Sequence, residues 1–384
     1  MSPGQGTPPD THREEAVKTA AFRLGFSAVG IARAEALRNR EKELSSWLNA
    51  GLAGPLRYME EFFLRQERFL SSFPEARSVI VLGADYGNQA PRDTPVPETK
   101  VSGRISRYAL QRDYHQVLRK RLKQLETAIR ETSPDPIYFR RTVDTSPVQE
   151  RALAEAAGLG FFGKNTCLIR PKGGSFFFLC TLITSFSLEP DQPISWNCGN
   201  CTLCLEACPT GALPEPFRLD ASRCISSLTI EHRGPIPSEL RPHLQDWLFG
   251  CDICQQVCPY NHAARPAPAE DFPAMLPPEI PLSDILRCRT QEQFLQMFQG
   301  TPLTRPGREG LLRNAAISAG NLRDPALLPE LIDCLLQDPS PLVRSHAAWA
   351  LGKIADPRAT EILRQATLSE PDSAVKEEIL QAIR

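Results

Sequence analysis

Eight cysteines constrain this 384-residue chain more than any other feature. Four stand in the run CGNCTLCLEACP as Cys198, Cys201, Cys204 and Cys208, three in CDICQQVCP as Cys251, Cys254 and Cys258, and Cys224 lies alone between the runs. The first run reads C-x₂-C-x₂-C-x₃-C-P and the second repeats its C-x₂-C-x₃-C-P end, the spacing by which thiolates hold iron–sulfur clusters. Two runs point to two [4Fe–4S] clusters. In two-cluster proteins the last cysteine of each run ligates the other cluster, because the chain folds back and lays the runs side by side. The expected sets are Cys198, Cys201, Cys204 and Cys258 for the first cluster. For the second they are Cys208, Cys251 and Cys254, completed by Cys224, the only cysteine between Cys208 and Cys251. A pair of zinc sites or disulfides is the alternative, but zinc uses two C-x₂-C pairs across a long spacer rather than triple runs closed by Cys-Pro. Cys167, Cys180, Cys288 and Cys334 are isolated in apolar or helical text and read as buried packing thiols.

A chain of this length should hold two or three domains, and 41% hydrophobic content is enough for their cores. The N-terminal residues MSPGQGTPPDTHREE do not resemble a signal peptide. The longest apolar run, Phe176 to Phe186, is too short to span a bilayer and reads as a buried strand. A cytoplasmic protein without membrane attachment is expected, which suits thiolate clusters. The net charge of −1 says nothing about partners, but its distribution does. Between Lys100 and Lys123 eight basic residues, Arg104, Arg107 and Arg112 among them, stand against Asp113 alone, a local balance of +7. Such a run is either a solvated helix face or a phosphate-binding patch.

Residues 1–185 alternate helical periodicity (Glu14 to Phe26, Tyr114 to Arg130) with strand-like runs (Ser78 to Ala84, Tyr138 to Val143, Leu179 to Thr184), so a mixed α/β domain within an α+β protein is expected there. Residues 186–262 form the cluster insert, ferredoxin-like in its spacing, and 263–300 a Pro-rich linker with helices. Residues 301–384 contain an internal repeat: Leu312 to Pro325 (LRNAAISAGNLRDP) is echoed by Val343 to Pro357 (VRSHAAWALGKIADP), and Val375-Lys376 begins a third copy. Alanines on one face, a glycine near the helix end and then Asp-Pro describe stacked helical hairpins of HEAT type. Such arrays contact mainly their own neighbours, so this one is expected to be separable and to serve a macromolecular partner.

Gly158 to Gly163 satisfies G-x-G-x-x-G, but helical text precedes it where a dinucleotide fingerprint needs a strand. Gly158 to Lys164 satisfies G-x₄-G-K, but Asn165 stands where a P-loop needs Ser or Thr. Asp144 follows a strand and precedes a helix opened by Ser146-Pro147, a position that suits an active site, although an ordinary turn aspartate fits the spacing better.

The motifs DTSPVQERALAEAAGLGFFGKN, CGNCTLCLEACPTGAL, RCISSLT and GCDICQQVCP, followed by the HEAT-like tail, resemble the epoxyqueuosine reductase family from end to end. That family is related to the corrinoid reductive dehalogenases. The resemblance implies cobalamin, two [4Fe–4S] clusters and a tRNA substrate with epoxyqueuosine at the wobble position of the anticodon loop, reduced to queuosine in the last step of its biosynthesis. It makes Asp144 the proton donor, places Arg68, Ser106, Asp144, Arg151, Lys164, Leu168 and Leu179 around the corrin, and puts Ser226 and Asp252 beside the second cluster. A D-x-H-x-x-G signature supplies a histidine to cobalt elsewhere; here Asp113-Tyr114-His115 starts it but Leu118 replaces the glycine, so no histidine is expected on cobalt. An aspartate ordinarily titrates near ~3.9, so burial against the corrin is expected to raise Asp144. Arg104, Arg107, Arg112, Arg305, Arg308, Arg313 and Arg344 are the candidate tRNA contacts. A monomer fed by an unidentified electron donor is expected. The alternatives are a corrinoid and iron–sulfur reductase of a small molecule, its repeats docking a protein, and a ferredoxin-type carrier, which leaves the N-terminal domain without a purpose.

Overall fold

The structure, a computed structural model, describes residues 12–86, 101–262 and 272–384. Lys100 and the start of the Pro-rich linker, 263–271, lie outside them. The described strands are β1 Ala28–Arg33, β2 Ser78–Asp85, β3 Ser102–Ile105, β4 Phe139–Thr142, β5 Phe161–Phe162, β6 Leu168–Ile169, β7 Phe177–Thr184, β8 Trp247–Phe249 and β9 Glu279–Pro281. In the N-terminal half they are interleaved with helices α1 His12–Arg23, α2 Glu41–Asn49, α3 Phe62–Ser71, α4 Tyr114–Arg130 and α5 Glu150–Ala156.

The largest sheet has the order β1-β2-β7-β4, with each neighbouring pair antiparallel. Its central strands are covered on both faces, so they carry continuous apolar runs instead of alternation. Ile80 and Leu82 of β2 pack with Leu118, Leu122 and Leu125 of α4, while Val79 and Val81 pack with Leu153 and Ala154 of α5. Helix α4 buries Leu118, Leu122, Leu125 and Ile129, a stripe at helical period. This frame holds the N-termini of α4 and α5 at one edge of the sheet.

A second sheet, β8-β3-β9, takes strands from three distant parts of the chain. Its core continues unbroken into the C-terminal helices: Ile105, Trp247, Phe249 and Ile280 belong to the same cluster as Leu311, Leu312 and Ala347. Those helices, Gly307–Leu322, Leu328–Gln337, Pro341–Ile354, Pro357–Ser369 and Ser373–Ile383, stack as hairpins. The repeat glycines lie near their helix ends as expected, but they are not the stops. A Cβ at Gly320 would lie 2.5 Å from the Trp349 ring and one at Gly352 2.7 Å from the Ala382 carbonyl, so these glycines permit close helix approach. The stops come at Arg323 (φ 55°) and Ala355 (φ 57°), each in the left-handed region.

The array is not separable either. Arg313, fully buried, donates to the carbonyls of His232 (2.7 Å), Gly234 (2.9 Å) and Leu228 (2.9 Å). Asn314 donates to those of Thr229 (2.9 Å) and Leu248 (2.8 Å). The first repeat helix is thus keyed into the segment that carries Cys224.

Candidate functional site

The two cysteine runs fold into short helices, Leu203–Glu206 and Ile253–Gln256, that pack on each other. Cys198, Cys201, Cys204 and Cys258 line one small cavity together with Ile169 and Tyr260. Cys208, Cys224, Cys251 and Cys254 form a second group of mutual electrostatic neighbours. Burial, with adjacent thiols adding to it, pushes Cys204 up to about 11 and Cys251 up to about 12. Bound iron reverses that tendency by deprotonating its thiols. Backbone donors already point at the sulfurs: Lys164 N–H to Cys198 Sγ at 3.5 Å and Ala212 N–H to Cys208 Sγ at 3.3 Å. Four thiols per group, from runs spaced as C-x₂-C-x₂-C-x₃-C-P, suit a multi-iron cluster better than one zinc. Cys167 is not an isolated packing thiol, because its side chain hydrogen-bonds Cys254. Buried Asn165 fixes it there, donating to the Cys254 carbonyl (3.1 Å) and accepting from Cys167 N–H (3.2 Å).

Asp144 begins the loop from β4 to α5 and adopts φ 55°, a conformation that Asp tolerates better than most residues. Its N–H donates to Glu150 Oε1 at 3.0 Å, and Arg65 and Arg119 both donate to Thr145, so the turn is held from three sides. The Asp144 carboxylate meets the start of α4. Tyr114 Oη donates to Asp144 Oδ2 at 3.1 Å, and His115 Nε2 lies 3.5 Å from that oxygen. His115 Nδ1 is 2.7 Å from Asp113 Oδ1, which also caps α4 by accepting the His115 N–H. Tyr114 stacks between Phe178 and the His115 ring, with centroids 4.2 Å away on each side. Asp144 keeps 64% of its side-chain surface open although it is surrounded by Tyr58, Tyr108, Tyr114 and Arg305, so it lines a cleft.

The expected rise of Asp144 is not found. Burial pushes its carboxyl up, but the hydrogen bond and charge of His115, with Tyr114 and Arg305 adding to them, outweigh burial and hold it below the usual range. Burial pushes His115 down, yet Asp113 and Asp144 outweigh that and raise it to about 9. Glu150, buried and beside Asp144, rises to about 8. At neutral pH the site therefore stores protons on His115 and Glu150 and none on Asp144.

The residues expected around the corrin, and Ser226 and Asp252 expected beside the second cluster, have the following partners. Ser106 and Asp252 are buried and joined, Ser106 Oγ donating at 2.5 Å, with Arg107 N–H on the other carboxylate oxygen at 2.8 Å. Ser226 offers its N–H to Cys224. Arg151 donates to the Thr166 carbonyl (2.5 Å) and Lys164 to the carbonyls of Gly199 (2.7 Å) and Cys201 (2.9 Å). Leu168 and Leu179 pack in the core under α5. Arg68 is exposed on α3, one turn beyond Arg65.

Three candidate tRNA contacts are corrected. Arg313 is wholly enclosed by carbonyls, and desolvation lowers it to about 9. Arg308 is closed against Asp338, and Arg344 against Glu370 at 2.8 Å. A buried, paired guanidinium cannot reach a phosphate. Arg104 is bound to Asp246 and lies over Trp247, Arg107 lies over Phe176, and Arg112 is exposed. Arg305 pairs with Glu231 at 3.0 Å and faces Asp144 and Tyr58. Sequence reasoning missed Tyr58, Tyr114, His115 and Glu150. Asp113-Tyr114-His115 at a helix N-cap was the available signal.

Comparison with known proteins agrees with this geometry. Residues 197–261 match the 4Fe-4S double cluster binding domain, 305–384 the HEAT repeats, and 67–145, ending just past Asp144, the model described as epoxyqueuosine reductase QueG, DUF1730. The epoxyqueuosine reductase of Pseudomonas aeruginosa is 42% identical over 348 residues, covering 90% of this chain and 96% of the relative. The chain belongs to the epoxyqueuosine reductase family. The family enzyme of Bacillus subtilis is 40% identical over 319 residues, 81% of this chain and 80% of its own. A crystal structure of epoxyqueuosine reductase with an epoxyqueuosine-modified tRNA-Tyr stem loop superposes with a TM-score of 0.85 at 32% identity, covering 97% of this chain and 98% of that one. In a Bacillus subtilis structure of TM-score 0.84, 32% identical and covering 97% and 98% of the two chains, the catalytic aspartate loop is swung out of the active site.

Proposed function

We infer that this chain reduces epoxyqueuosine to queuosine in the anticodon loop of tRNA. The observation that carries the reading is the Asp144 turn, held open to a cleft at φ 55° with His115 Nε2 3.5 Å behind its carboxylate. Removing the epoxide oxygen takes two electrons and two protons and yields an alkene and water. Cobalamin, which the family resemblance implies, would supply the two-electron chemistry when bound, and [4Fe–4S] clusters held by the two thiol groups would pass electrons to it one at a time. The chain's residues fit the clusters: eight thiols stand in two groups of four. Asp252, with Ser106, braces the second thiol group, and Asn165 ties the loop after Lys164 to it. Asp144 is the group that protonates the departing oxygen.

The anticodon loop presents unpaired bases that can be splayed into such a cleft. Arg305, at its rim, and Arg104, Arg107 and Arg112 are the remaining candidates for the tRNA. Thiolate clusters need a reducing compartment, which supports the cytoplasm, and no described helix is long and apolar enough to cross a membrane. The electrons come from an external one-electron donor.

The test is anaerobic purification, with iron and cobalamin read optically and by metal analysis, followed by turnover of a modified stem loop monitored by mass spectrometry. Loss of one oxygen from the nucleoside supports the reading. A fully loaded protein that binds the stem loop and leaves the epoxide intact overturns it.

A further inference from the structure

Two protons must reach the departing oxygen, yet the carboxyl that delivers them is held in its ionised form. His115 resolves this. Its two ring nitrogens are committed to two carboxylates, Nδ1 to Asp113 at 2.7 Å and Nε2 toward Asp144 at 3.5 Å, and Nε2 has no shorter partner. The ring is clamped by its stack on Tyr114, and 21% of its side chain remains open to solvent. A carboxylate on one nitrogen fixes the tautomer and the orientation of the other.

We propose that Asp113, His115 and Asp144 form a proton relay in which His115 acts through Asp144 as a positioning residue, reloading that carboxyl each time it protonates the oxygen leaving the epoxide. The proposal rests on the reductase reading above. The balance is simple. His115 first passes its Nε2 proton to Asp144, and the first C–O bond breaks as two electrons enter from the reduced cofactor and the loaded carboxyl protonates the alkoxide. His115, reprotonated from solvent, loads Asp144 again, and the second C–O bond breaks as the carboxyl protonates the hydroxyl, which leaves as water. His115 then takes a second proton from solvent, and two protons have been delivered.

The groups facing the relay agree with this direction of transfer. From α4 and its cap come Asp113, Tyr114 and Arg119, from the turn before it Tyr108, from the loop Asp144, from α5 Glu150, and from other segments Arg305 and Tyr58. Asp113 and Asp144 raise His115 to about 9, so the imidazolium persists through neutrality and is lost above that value. Tyr114 rises far out of range and serves as a fixed donor.

The test is the pH profile of the single-turnover rate on the modified stem loop, with the enzyme fully loaded and reduced. The wild-type rate should hold through neutrality and fall as pH passes about 9. His115→Gln keeps an amide donor toward Asp144 but holds no exchangeable acid. Its rate at neutral pH should drop ~10²-fold or more, lose the alkaline limb and recover toward acid pH, where Asp144 protonates directly, with stem-loop affinity unchanged. Asp113→Asn preserves the helix cap, since Asn caps as well as Asp, and should move the alkaline limb to lower pH. A His115→Gln rate that falls equally at every pH with the limb in place, or an Asp113→Asn limb that does not move, overturns the relay. Failure of the wild type to reduce the epoxide is a different result and overturns the parent reading instead.

Discussion

The C-terminal helices and the Asp144 cleft use the same charged residue types to opposite ends. Among the helices the pairs are sealed: Arg308 and Asp338 keep 7% and 0% of their side-chain surface, Arg241 and Glu378 keep 4% and 13%. At the cleft Asp144 keeps 64% and Arg305 57%. A sealed pair has lost its water and has only its partner, so breaking it leaves a stranded charge. An open charge retains bonding capacity for something that arrives. The distinction separates residues that hold the C-terminal helices in place from residues that act on a substrate.

The comparison can be broken most sharply at Asp144. Asp144→Asn, which keeps both shape and tolerance of φ 55°, should slow turnover by ~10²–10⁴ while chemical denaturation and iron content stay at wild-type values. Unchanged turnover would remove Asp144 from the chemistry. Arg308→Met should do the reverse. Leaving Asp338 buried and unpaired should cost about 3–5 kcal/mol in a urea melt, while the fraction that remains folded binds the stem loop normally; specific loss of binding without loss of stability would return Arg308 to the tRNA surface. Gly320→Ala sets a Cβ against the Trp349 ring and should cost ~1–3 kcal/mol by overpacking, and a stability gain would show that the helices are not in contact there. The smallest effect is expected from Arg305→Gln, read as the salt dependence of stem-loop binding, whose log–log slope should flatten by ~0.7 for one lost phosphate contact. An unaltered slope would leave Arg305 as the partner of Glu231 alone.

Where the sequence was legible, local rules governed the outcome. Helix α4 runs from Tyr114 to Arg130, the limits that its apolar period suggests, and Phe177–Thr184 is the buried strand expected within Phe176 to Phe186. The grouping of thiols was likewise readable from spacing. What could not be read depends on what covers a residue. Arg313 and Arg344 recur at the same place in the repeat, as surface arginines would, and nothing local reveals that the segment from Leu228 to Gly234 closes over Arg313. His115 was set aside because a cobalt-binding pattern was incomplete; its actual partners, Asp113 and Asp144, combine one neighbour with one residue 29 positions away. The direction of the Asp144 shift followed from that missing partner.

The sheet β8-β3-β9 has a consequence for how the chain is made. The first sheet has all its strands once Thr184 has emerged, whereas the second waits for Pro281, and the carbonyls around Leu228 to Gly234 wait for Arg313 and Asn314. Domains fold from the N-terminus during synthesis, so the nascent chain should present a finished catalytic sheet beside unfinished thiol cages. The Cys224 cage acquires its backing only when the first repeat helix leaves the ribosome. Iron loading of the second group is therefore expected late in the life of the polypeptide, after residues far beyond the last cysteine of the runs have emerged.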